Sequence, residues 1–364
     1  YVLNTSDVYS FAFNYAGDKE KKVEFTHTFT DERVRVNIHL TKEDSETGKN
    51  AQGDATLEGA VYGLYAREAI GYPDGSSGGL YPKDAQVATL TTDKAGNASV
   101  SGLYLGKYYV KEITPPAGYV LDEEEHDVEG SYEGDQVKEI ECTITVAENV
   151  KKQPFQLIKA ANNGKTDADL LKGAGFSAYL VSNLNTKEDG SYDFENAVPV
   201  VLTEDGKTEI FTDEKGYACT IPLPYGTYIV RETTTPHNFK PVDDFTVVIS
   251  ENKSEPQVWR VLLDDEFSAK LKIIKQDDET KKPVLVANTE FKIYDLDEGK
   301  YVEQTTTYPS TVTHKSYFTD ENGYLILPSA LKCGNYRIEE VTAPDGYIQN
   351  TNYVEIKVDS NTAY

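Results

Sequence analysis

The chain has 364 residues, a net charge of −25 at pH 7 and 38% hydrophobic residues. This length predicts two to four globular domains, and the negative charge argues against a nucleic-acid partner, since phosphate recognition needs clustered Lys and Arg. No apolar run is long enough to span a membrane, and 26 tyrosines together with many Thr and Val favour β-strands.

Residues 1–33 are predicted to be the closing strands of a preceding, truncated β-domain. Residues 1–4 repeat the pattern of residues 119–122, which follow a strand later in the chain. The sequence contains no methionine, so we expect an internal piece of a longer protein. Asp31 lies near the end of the segment, in phase with three ring-bearing side chains along a strand.

Three whole-domain repeats follow, and each opens on a strand that ends in lysine. These lysines are Lys42, Lys159 and Lys275, and their spacing is close to the size of a sandwich domain, roughly 100 residues. Short alternating strands separated by Gly, Asp and Asn predict all-β sandwiches with little helix. The predicted domains cover residues 34–149, 150–265 and 266–364. The last is expected to lack its final strand, which would expose part of its sheet unless another segment completes it.

Two further runs recur in every repeat. One is a Thr-Asp turn that contains glycine, as in Thr92-Asp93-Lys94-Ala95-Gly96. The other is a β-prone run that carries a carboxylate and then breaks at a Pro-containing turn, as in Tyr108-Tyr109-Val110-Lys111-Glu112. The carboxylates at this position are Glu112, Glu232 and Glu340. A glutamate at a fixed place on an apolar strand needs a chemical explanation.

The phase of the three lysines along their strands supplies the chemical hypothesis. Each lysine shares its strand face with apolar residues, as Lys42 does with Val36, Ile38 and Leu40. Burial drives lysine towards the neutral amine, which is a nucleophile, and drives glutamate towards the protonated acid. A buried Lys–Glu ion pair is the alternative interpretation, and from these residues alone the two are equally supported.

A carboxyl or amide side chain ends the strand before each new lysine. In the second repeat we favour Asp265 over Asp264 as the partner of the lysine, because Asp265 shares the phase of Trp259, Val261 and Leu263. In the first repeat Asn149 fits less well. Ile144 and Val146 would turn Glu148 inward, so an inward Asn149 requires a β-bulge.

The combination of these motifs resembles a known family. The Lys-x-Asp opening (Lys42-Glu43-Asp44), the Thr-Asp-x-x-Gly turn and the Glu-bearing run that ends in Pro-x-Gly-Tyr together resemble collagen-adhesin B-type and SpaA-type domains of Gram-positive surface proteins and pilins. The resemblance covers essentially the whole chain. It implies tandem inverse immunoglobulin-like, prealbumin-like β-sandwiches in an elongated array, each with an internal Lys–Asn or Lys–Asp isopeptide bond that a glutamate assists.

The resemblance also implies a role for each candidate residue. Lys42 would join Asn149 with loss of ammonia, and Lys159 would join Asp265, or Asp264, with loss of water. Glu112 and Glu232 would act as the proton shuttles of these two bonds. Lys275 and Glu340 would have no acceptor in this chain, and Asp31 would be the acceptor of the missing upstream domain.

The expected function is that of a structural stalk or pilin-like segment on the wall-anchored, extracellular surface of a Gram-positive bacterium. Each bond would form once, so the chain is expected not to be an enzyme, and no cofactor or metal site is expected. The expected partners are neighbouring domains of the same longer chain. The alternative is a ligand-binding adhesin that recognises a host matrix protein or glycan, with the insertion from Ile70 to Asp84 as the first binding surface to test.

Overall fold

The computed structural model describes residues 1–6, 8–15, 17, 24–163, 169–258 and 260–362. Trp259, which entered the phase argument for Asp265, lies outside the described residues. Across the described residues the chain folds into β-strands, with two short 3₁₀ turns as its helical elements, so the all-β prediction is confirmed. Within the same ranges, no helix is long and apolar enough to cross a membrane.

The first domain packs two sheets around an apolar core. One sheet has the order β6-β1-β9, and the other has the order β5-β2-β7-β8. The core is lined by residues such as Ile38, Leu40, Leu64 and Val110, which are fully buried. The strands are β1 Arg35–Asp44, β2 Val61–Ala66, β3 Ile70–Gly71, β4 Gly79–Tyr81, β5 Gln86–Thr91, β6 Asn97–Leu103, β7 Gly106–Thr114, β8 Glu125–Gly130 and β9 Glu139–Glu148.

The second domain repeats this arrangement. Its sheets have the orders β16-β11-β20 and β15-β12-β18-β19, with β10-β17 and β13-β14 as two-stranded additions. Its elements are β10 Lys152–Gln153, β11 Gln156–Ala161, β12 Gly175–Leu180, a 3₁₀ turn Val181–Asn183, β13 Asn185–Thr186, β14 Tyr192–Asp193, β15 Glu209–Phe211, β16 Tyr217–Cys219, β17 Leu223–Pro224, β18 Gly226–Thr234, β19 Phe245–Ile249 and β20 Arg260–Asp264.

The third domain has a larger sheet of five strands, in the order β24-β23-β30-β31 with β27 also paired to β23. Its first strand β22 pairs with β28 alone in the described structure. Ile274 on β22 and Ile326 on β28 are about half exposed. Its elements are β21 Ser268–Ala269, β22 Lys272–Ile274, β23 Glu290–Asp295, β24 Lys300–Tyr301, β25 Gln304–Thr306, β26 Val312–His314, β27 Tyr317–Phe318, β28 Tyr324–Ile326, β29 Leu331–Lys332, β30 Gly334–Thr342, β31 Val354–Val358 and a 3₁₀ turn Ser360–Thr362.

In the first two domains the first strand lies between an antiparallel neighbour and the last strand, which runs parallel to it. The pairing of β1 with β9 is continuous from Arg35 opposite Glu139 to Asp44 opposite Glu148. The pairing of β11 with β20 runs from Leu157 to Ala161. A central strand has a neighbour along each edge, and the lysine lies on the face that packs against the second sheet, which explains its burial.

The first and second domains pack against each other through a small apolar cluster. Leu57, Tyr119 and Val150 are buried there, and Tyr225 of the second domain packs against them. The backbone amide of Asp54 also donates to the carbonyl of Tyr225 at 2.8 Å. These contacts give the junction a defined geometry.

The junction between the second and third domains explains a departure of the second repeat from its motif. Asn238 stands where the first repeat has Gly118, and both adopt a positive φ, of 66° and 86°. Asn tolerates this conformation better than most residues. Its amide oxygen also accepts a hydrogen bond from the backbone of Ser360 in the third domain at 3.3 Å.

Residues before β1 bring two arms of the chain together. Val2 forms an isolated bridge with Glu32. The rings of Tyr9 and His27 lie with centroids 3.6 Å apart, and those of Phe11 and Phe25 4.3 Å apart. The pairing follows the antiparallel course that closing strands would take. Asp31 itself is exposed.

Candidate functional site

The Thr-Asp turn holds the lysine of each domain. The backbone amide of the lysine donates to the carbonyl of the turn glycine in all three repeats: Lys42 to Gly96 at 2.8 Å, Lys159 to Gly216 at 2.7 Å and Lys275 to Gly323 at 3.0 Å. These glycines have φ between 64° and 79°. A Cβ at Gly96 would lie 2.4 Å from the carbonyl oxygen of Lys42. The turn therefore needs glycine both for its conformation and for the close approach of the lysine strand.

The glutamate of each domain comes from the neighbouring sheet. Glu112, Glu232 and Glu340 lie on β7, β18 and β30, each opposite an aromatic residue of the paired strand: Tyr62, Phe176 and Phe291. A register irregularity immediately precedes each of these pairs. Such irregularities re-aim side chains. The glutamate thus crosses the core to meet the lysine of the facing sheet.

In the second domain, one lysine and two acidic side chains meet in the buried core. Lys159, Glu232 and Asp264 have fully buried side chains. The Nζ atom of Lys159 lies 2.7 Å from Oε2 of Glu232 and in direct contact with Oδ1 of Asp264. This contact joins the first strand of the domain to the last one.

In the first domain, the equivalent cluster contains Lys42, Glu112 and Glu148. Lys42 is fully buried, and its Nζ atom is in direct contact with Oε2 of Glu148. Oε1 of Glu112 lies 3.8 Å from the same nitrogen. The hydroxyl of Tyr62 donates a hydrogen bond to Oε1 of Glu148. Tyr62 was not among the site residues predicted from the sequence.

The third domain carries the lysine and the strand glutamate of such a cluster. Nζ of Lys275 lies 2.7 Å from Oε2 of Glu340, and the two side chains are 13% and 4% exposed. Within the part of the chain that the structure describes, no second carboxyl forms an ion pair with Lys275. That Lys275 and Glu340 have no acceptor in this chain stays a prediction.

Two acceptor assignments from the sequence placed the wrong side chain inward. Asp265 is exposed, and its carboxylate accepts a hydrogen bond from Asn162, whereas the alternative Asp264 is buried at Lys159. The phase argument failed because Val261 and Leu263, the side chains in phase with Asp265, are 62% and 47% exposed. This strand is apolar on both faces, so its parity is ambiguous.

The structure also does not bring Asn149 to Lys42. Asn149 is exposed, and its amide oxygen accepts a hydrogen bond from Ser45 at 2.6 Å. The bulge that would turn it inward is absent, because β1 and β9 pair without interruption as far as Glu148. The phase of Ile144 and Val146 already indicated this outcome.

Asp31 occupies the same backbone register as the two buried acceptors. In each case the residue after the acid accepts a hydrogen bond from the strand that follows a Glu turn: Val120 N to Asn149 O at 3.0 Å, Lys240 N to Asp265 O at 2.9 Å and Val2 N to Glu32 O at 2.7 Å. Asp31 precedes Glu32 as Glu148 precedes Asn149. The role of Asp31 as an acceptor stays a prediction.

The architecture and the repeated cluster agree with a match to one family. The family described as SpaA, prealbumin-like fold domain, matches residues 36–146, 153–260 and 269–364. The chain belongs to this family. The repeats can therefore be named SpaA domains, and the sequence-based resemblance is confirmed at the family level.

Similarity to individual proteins is weaker. No curated protein matched the sequence. Among solved structures, the Bacillus anthracis TIE protein is 23% identical with a TM-score of 0.44, covering 89% of this chain and 48% of that one, so the chain spans about half of its length. BcpA, the major pilin subunit of Bacillus cereus, is 19% identical with a TM-score of 0.29, and the match covers 90% of this chain and 96% of BcpA. A streptococcal ancillary pilin is 17% identical with a TM-score of 0.28, covering 89% and 95%.

Burial shifts the pKa values of Lys42, Glu112 and Asp264 in the directions that favour their neutral forms. Burial lowers the pKa of Lys42 to about 8, and the negative charge of Glu112 only partly opposes this. Burial likewise raises the pKa of Glu112. It also raises the pKa of Asp264 to about 6, with Lys159 opposing the shift and Glu232 adding to it. In the first domain, an amine whose pKa is lowered therefore faces Glu112, an acid whose pKa is raised.

Carboxyl oxygens without a hydrogen-bond donor also favour the neutral form of the acids. Oε1 of Glu112, Oε1 of Glu232 and Oδ2 of Asp264 are buried and accept no hydrogen bond from the described residues. A buried carboxylate oxygen without a donor is costly, and protonation removes most of that cost. The arrangement can therefore support acyl transfer from a neutral acid to a neutral amine, with a second acid beside them to move protons.

Proposed function

We propose that the chain is a structural stalk segment of a Gram-positive surface protein, whose SpaA domains are locked by isopeptide bonds that form without an external enzyme. The observation that carries this proposal is the buried contact of Lys159 with Asp264 beside Glu232. An unreacted ion pair at this depth gains little over apolar packing, because both charges lose their hydration. Formation of an isopeptide bond between Lys159 and Asp264 removes both charges.

The reaction balances without any cofactor. The amine of Lys159 attacks Cγ of Asp264, and a carbon–nitrogen bond forms as a carbon–oxygen bond breaks. Glu232, 2.7 Å from the amine, gives its carboxyl proton to the departing hydroxyl, which leaves as water, and takes a proton from the Lys159 nitrogen in exchange. Glu232 ends in its initial protonation state. Each site reacts once, so the process is maturation rather than turnover.

The position of the bond suits a chain under tension. Lys159 and Asp264 are 105 residues apart in sequence, and Lys42 and Glu148 are 106 apart. Each pair ties the first strand of its domain to the last one. A crosslink that closes about 100 residues stabilises a fold by roughly 5 kcal/mol in the chain-entropy account. It also keeps pulling forces from separating the two strands.

The defined junctions between domains support the same function. The cluster around Tyr225 and the Asn238–Ser360 hydrogen bond fix neighbouring domains against each other. By the same reasoning, Asp31 would serve the lysine of an upstream domain, and Lys275 with Glu340 would serve an acceptor supplied from elsewhere. We place the protein at the extracellular, wall-anchored surface because the family occurs in Gram-positive pilins.

Intact-mass measurement and peptide mapping of the full chain test the proposal. We expect a tryptic species in which Lys159 is joined to Asp264, lighter than its two peptides by one water. Asp264→Ala should abolish this species. Asp265→Ala is the matched control, because it removes an adjacent but exposed carboxylate, and it should leave the crosslink intact. Free Lys159 and Asp264 peptides from the folded wild-type chain would show that the ion pair never reacts.

One cavity keeps the adhesin alternative open to test. The insertion from Ile70 to Asp84 contributes Ile70, Gly71 and Pro73 to a cavity of about 340 Å³ that Arg33 and Tyr104 also line. Glycan or matrix-protein binding that disappears when this insertion is shortened would favour the adhesin. Loss of binding in the Asp264→Ala chain would not favour the adhesin, because Asp264 lies in the second domain and the insertion lies in the first.

A further inference from the structure

The first domain differs from the second at two neighbouring positions. Its acceptor is a glutamate, Glu148, and the residue opposite its strand glutamate is Tyr62. In the second domain the acceptor is Asp264 and the residue equivalent to Tyr62 is Phe176. The hydroxyl and the longer acid therefore occur together in one domain.

These two differences meet in the core. The hydroxyl of Tyr62 donates to Oε1 of Glu148, while Oε2 of the same carboxyl contacts the amine of Lys42. Tyr62 and Lys42 are fully buried, and Glu148 is 3% exposed. The amine of Lys42 therefore contacts one oxygen of the Glu148 carboxyl, and the hydroxyl of Tyr62 binds the other.

The strand glutamate takes a different position in the two domains. Both glutamates accept a backbone hydrogen bond through Oε2, Glu112 from Asp122 and Glu232 from Val242. The same Oε2 of Glu232 lies 2.7 Å from Lys159, whereas Glu112 faces Lys42 with its other oxygen, at 3.8 Å. Glu112 is thus on the side of the amine and contributes no hydrogen bond to Glu148. A donor to the carbonyl oxygen must come from another residue, and Tyr62 is placed to be that donor.

We propose that Lys42 and Glu148 form an ε-(γ-glutamyl)lysine crosslink, and that Tyr62 is a catalytic residue that donates to the carbonyl oxygen during the reaction. This inference rests on the proposed function of the chain. The amine of Lys42 attacks Cδ of Glu148, and the negative charge develops on Oε1 under the Tyr62 hydroxyl. Glu112, in its protonated form, gives its proton to the hydroxyl on Cδ, which leaves as water as the carbon–oxygen bond breaks. Glu112 takes a proton from the Lys42 nitrogen in exchange, so Tyr62 and Glu112 end unchanged.

The leaving group gives a sharp test of the acceptor. In the full-length wild-type chain, the species that joins Lys42 to Glu148 should be lighter than its two peptides by one water. The Glu148→Gln variant keeps the oxygen that Tyr62 holds and presents an amide as leaving group. It should give the same crosslinked species as wild type, but with loss of ammonia from its own sequence mass. Replacement of Asn149 by Ala should change neither result.

The role of Tyr62 is tested by removing one oxygen atom. Tyr62→Phe should slow formation of the first crosslink by roughly a hundredfold, as loss of one hydrogen-bond donor to a developing oxyanion does. Tyr119→Phe is the matched control, because the Tyr119 ring also lies over Lys42 but its hydroxyl binds Asp44 at 2.9 Å. The crosslinked fraction is measured after purification and during incubation, with the Lys159–Asp264 crosslink in the same chain as an internal reference for folding.

Each outcome separates this inference from the proposed function. Free Lys42 and Glu148 beside an intact Lys159–Asp264 bond would overturn the inference and leave the proposed function standing. A bond from Lys42 to Asn149 with loss of ammonia would also overturn it. Equal crosslinking in Tyr62→Phe and wild type would remove Tyr62 from the reaction. If neither domain is crosslinked, the proposed function itself fails.

Discussion

We predict that the response of the second domain to mechanical force depends on one carboxyl group, that of Asp264. With Lys159 joined to Asp264, tension applied to the chain ends passes through the side-chain bond and bypasses the residues between them. Asp264→Ala removes the bond, because no carbonyl remains at the acceptor position. The whole stretch between the two residues then becomes able to unfold and extend.

The size of the change follows from the sequence separation. The two residues lie 105 positions apart. At about 3.5 Å per residue this stretch can extend to roughly 370 Å, and little is subtracted because the two side chains touch in the folded state. Single-molecule pulling on the full chain should show one additional unfolding step of about this contour length in Asp264→Ala.

The neighbouring exposed carboxylate provides the control for this experiment. Asp265→Ala should give the wild-type pulling trace, since that side chain binds Asn162 at the surface. Loss of the bond should also lower the stability of the second domain by roughly 5 kcal/mol against chemical or thermal unfolding. A wild-type chain that already shows the additional step would contradict the crosslink, as would an Asp264→Ala chain without that step.

Three further predictions concern the other domains. The wild-type chain should be lighter than its sequence by two waters and no more, because Lys275 contacts no acceptor among the described residues, and intact mass measures this directly. In Glu148→Ala, Lys42 stays an amine whose pKa burial lowers from 10.5 to about 8. Between pH 8 and 10.5 the amine binds more protons in the unfolded chain than in the folded one, so the free energy of unfolding of the first domain should rise by roughly 3 kcal/mol over this range. A melting temperature that stays constant across these pH values would refute the prediction. Gly53→Ala, whose Cβ would lie 2.2 Å from a carbonyl oxygen of the second domain, should expose the junction to proteolysis, whereas Gly48→Ala, with open space around it, should not.

The sequence was informative about the lysines because each of them is in phase with apolar residues of its strand. Lys42 and Lys159 are fully buried, as their phase with Leu40 and Leu157 predicts. The turn glycines were also predictable, since the Thr-Asp-x-x-Gly pattern requires a positive φ at its last position. What the pattern could not show is that this same glycine fixes the lysine backbone through its carbonyl.

The acceptor of the second domain was harder to predict because it lies at the end of a strand with apolar residues on both faces. In β20 the half-buried Leu262 indicates Asp264, whereas the more exposed Val261 and Leu263 indicate Asp265, and hydrophobicity alone cannot choose between them. In β9 the phase indicated Glu148, and the family resemblance favoured Asn149 instead. Tyr62 escaped notice because a tyrosine on an apolar strand is normally a core residue.

The pairing of the parallel strands identifies the acceptor where hydrophobicity does not. Lys42 lies opposite Val146 and Lys159 lies opposite Leu262, and in both domains the acid that contacts the amine is two residues further along the last strand. Two residues return to the same face of a strand, and the lysine side chain reaches forward by about that distance. The chemical identity of the acid is not part of this geometric requirement. A glutamate can therefore take the acceptor position, provided that a neighbour such as Tyr62 orients its longer side chain.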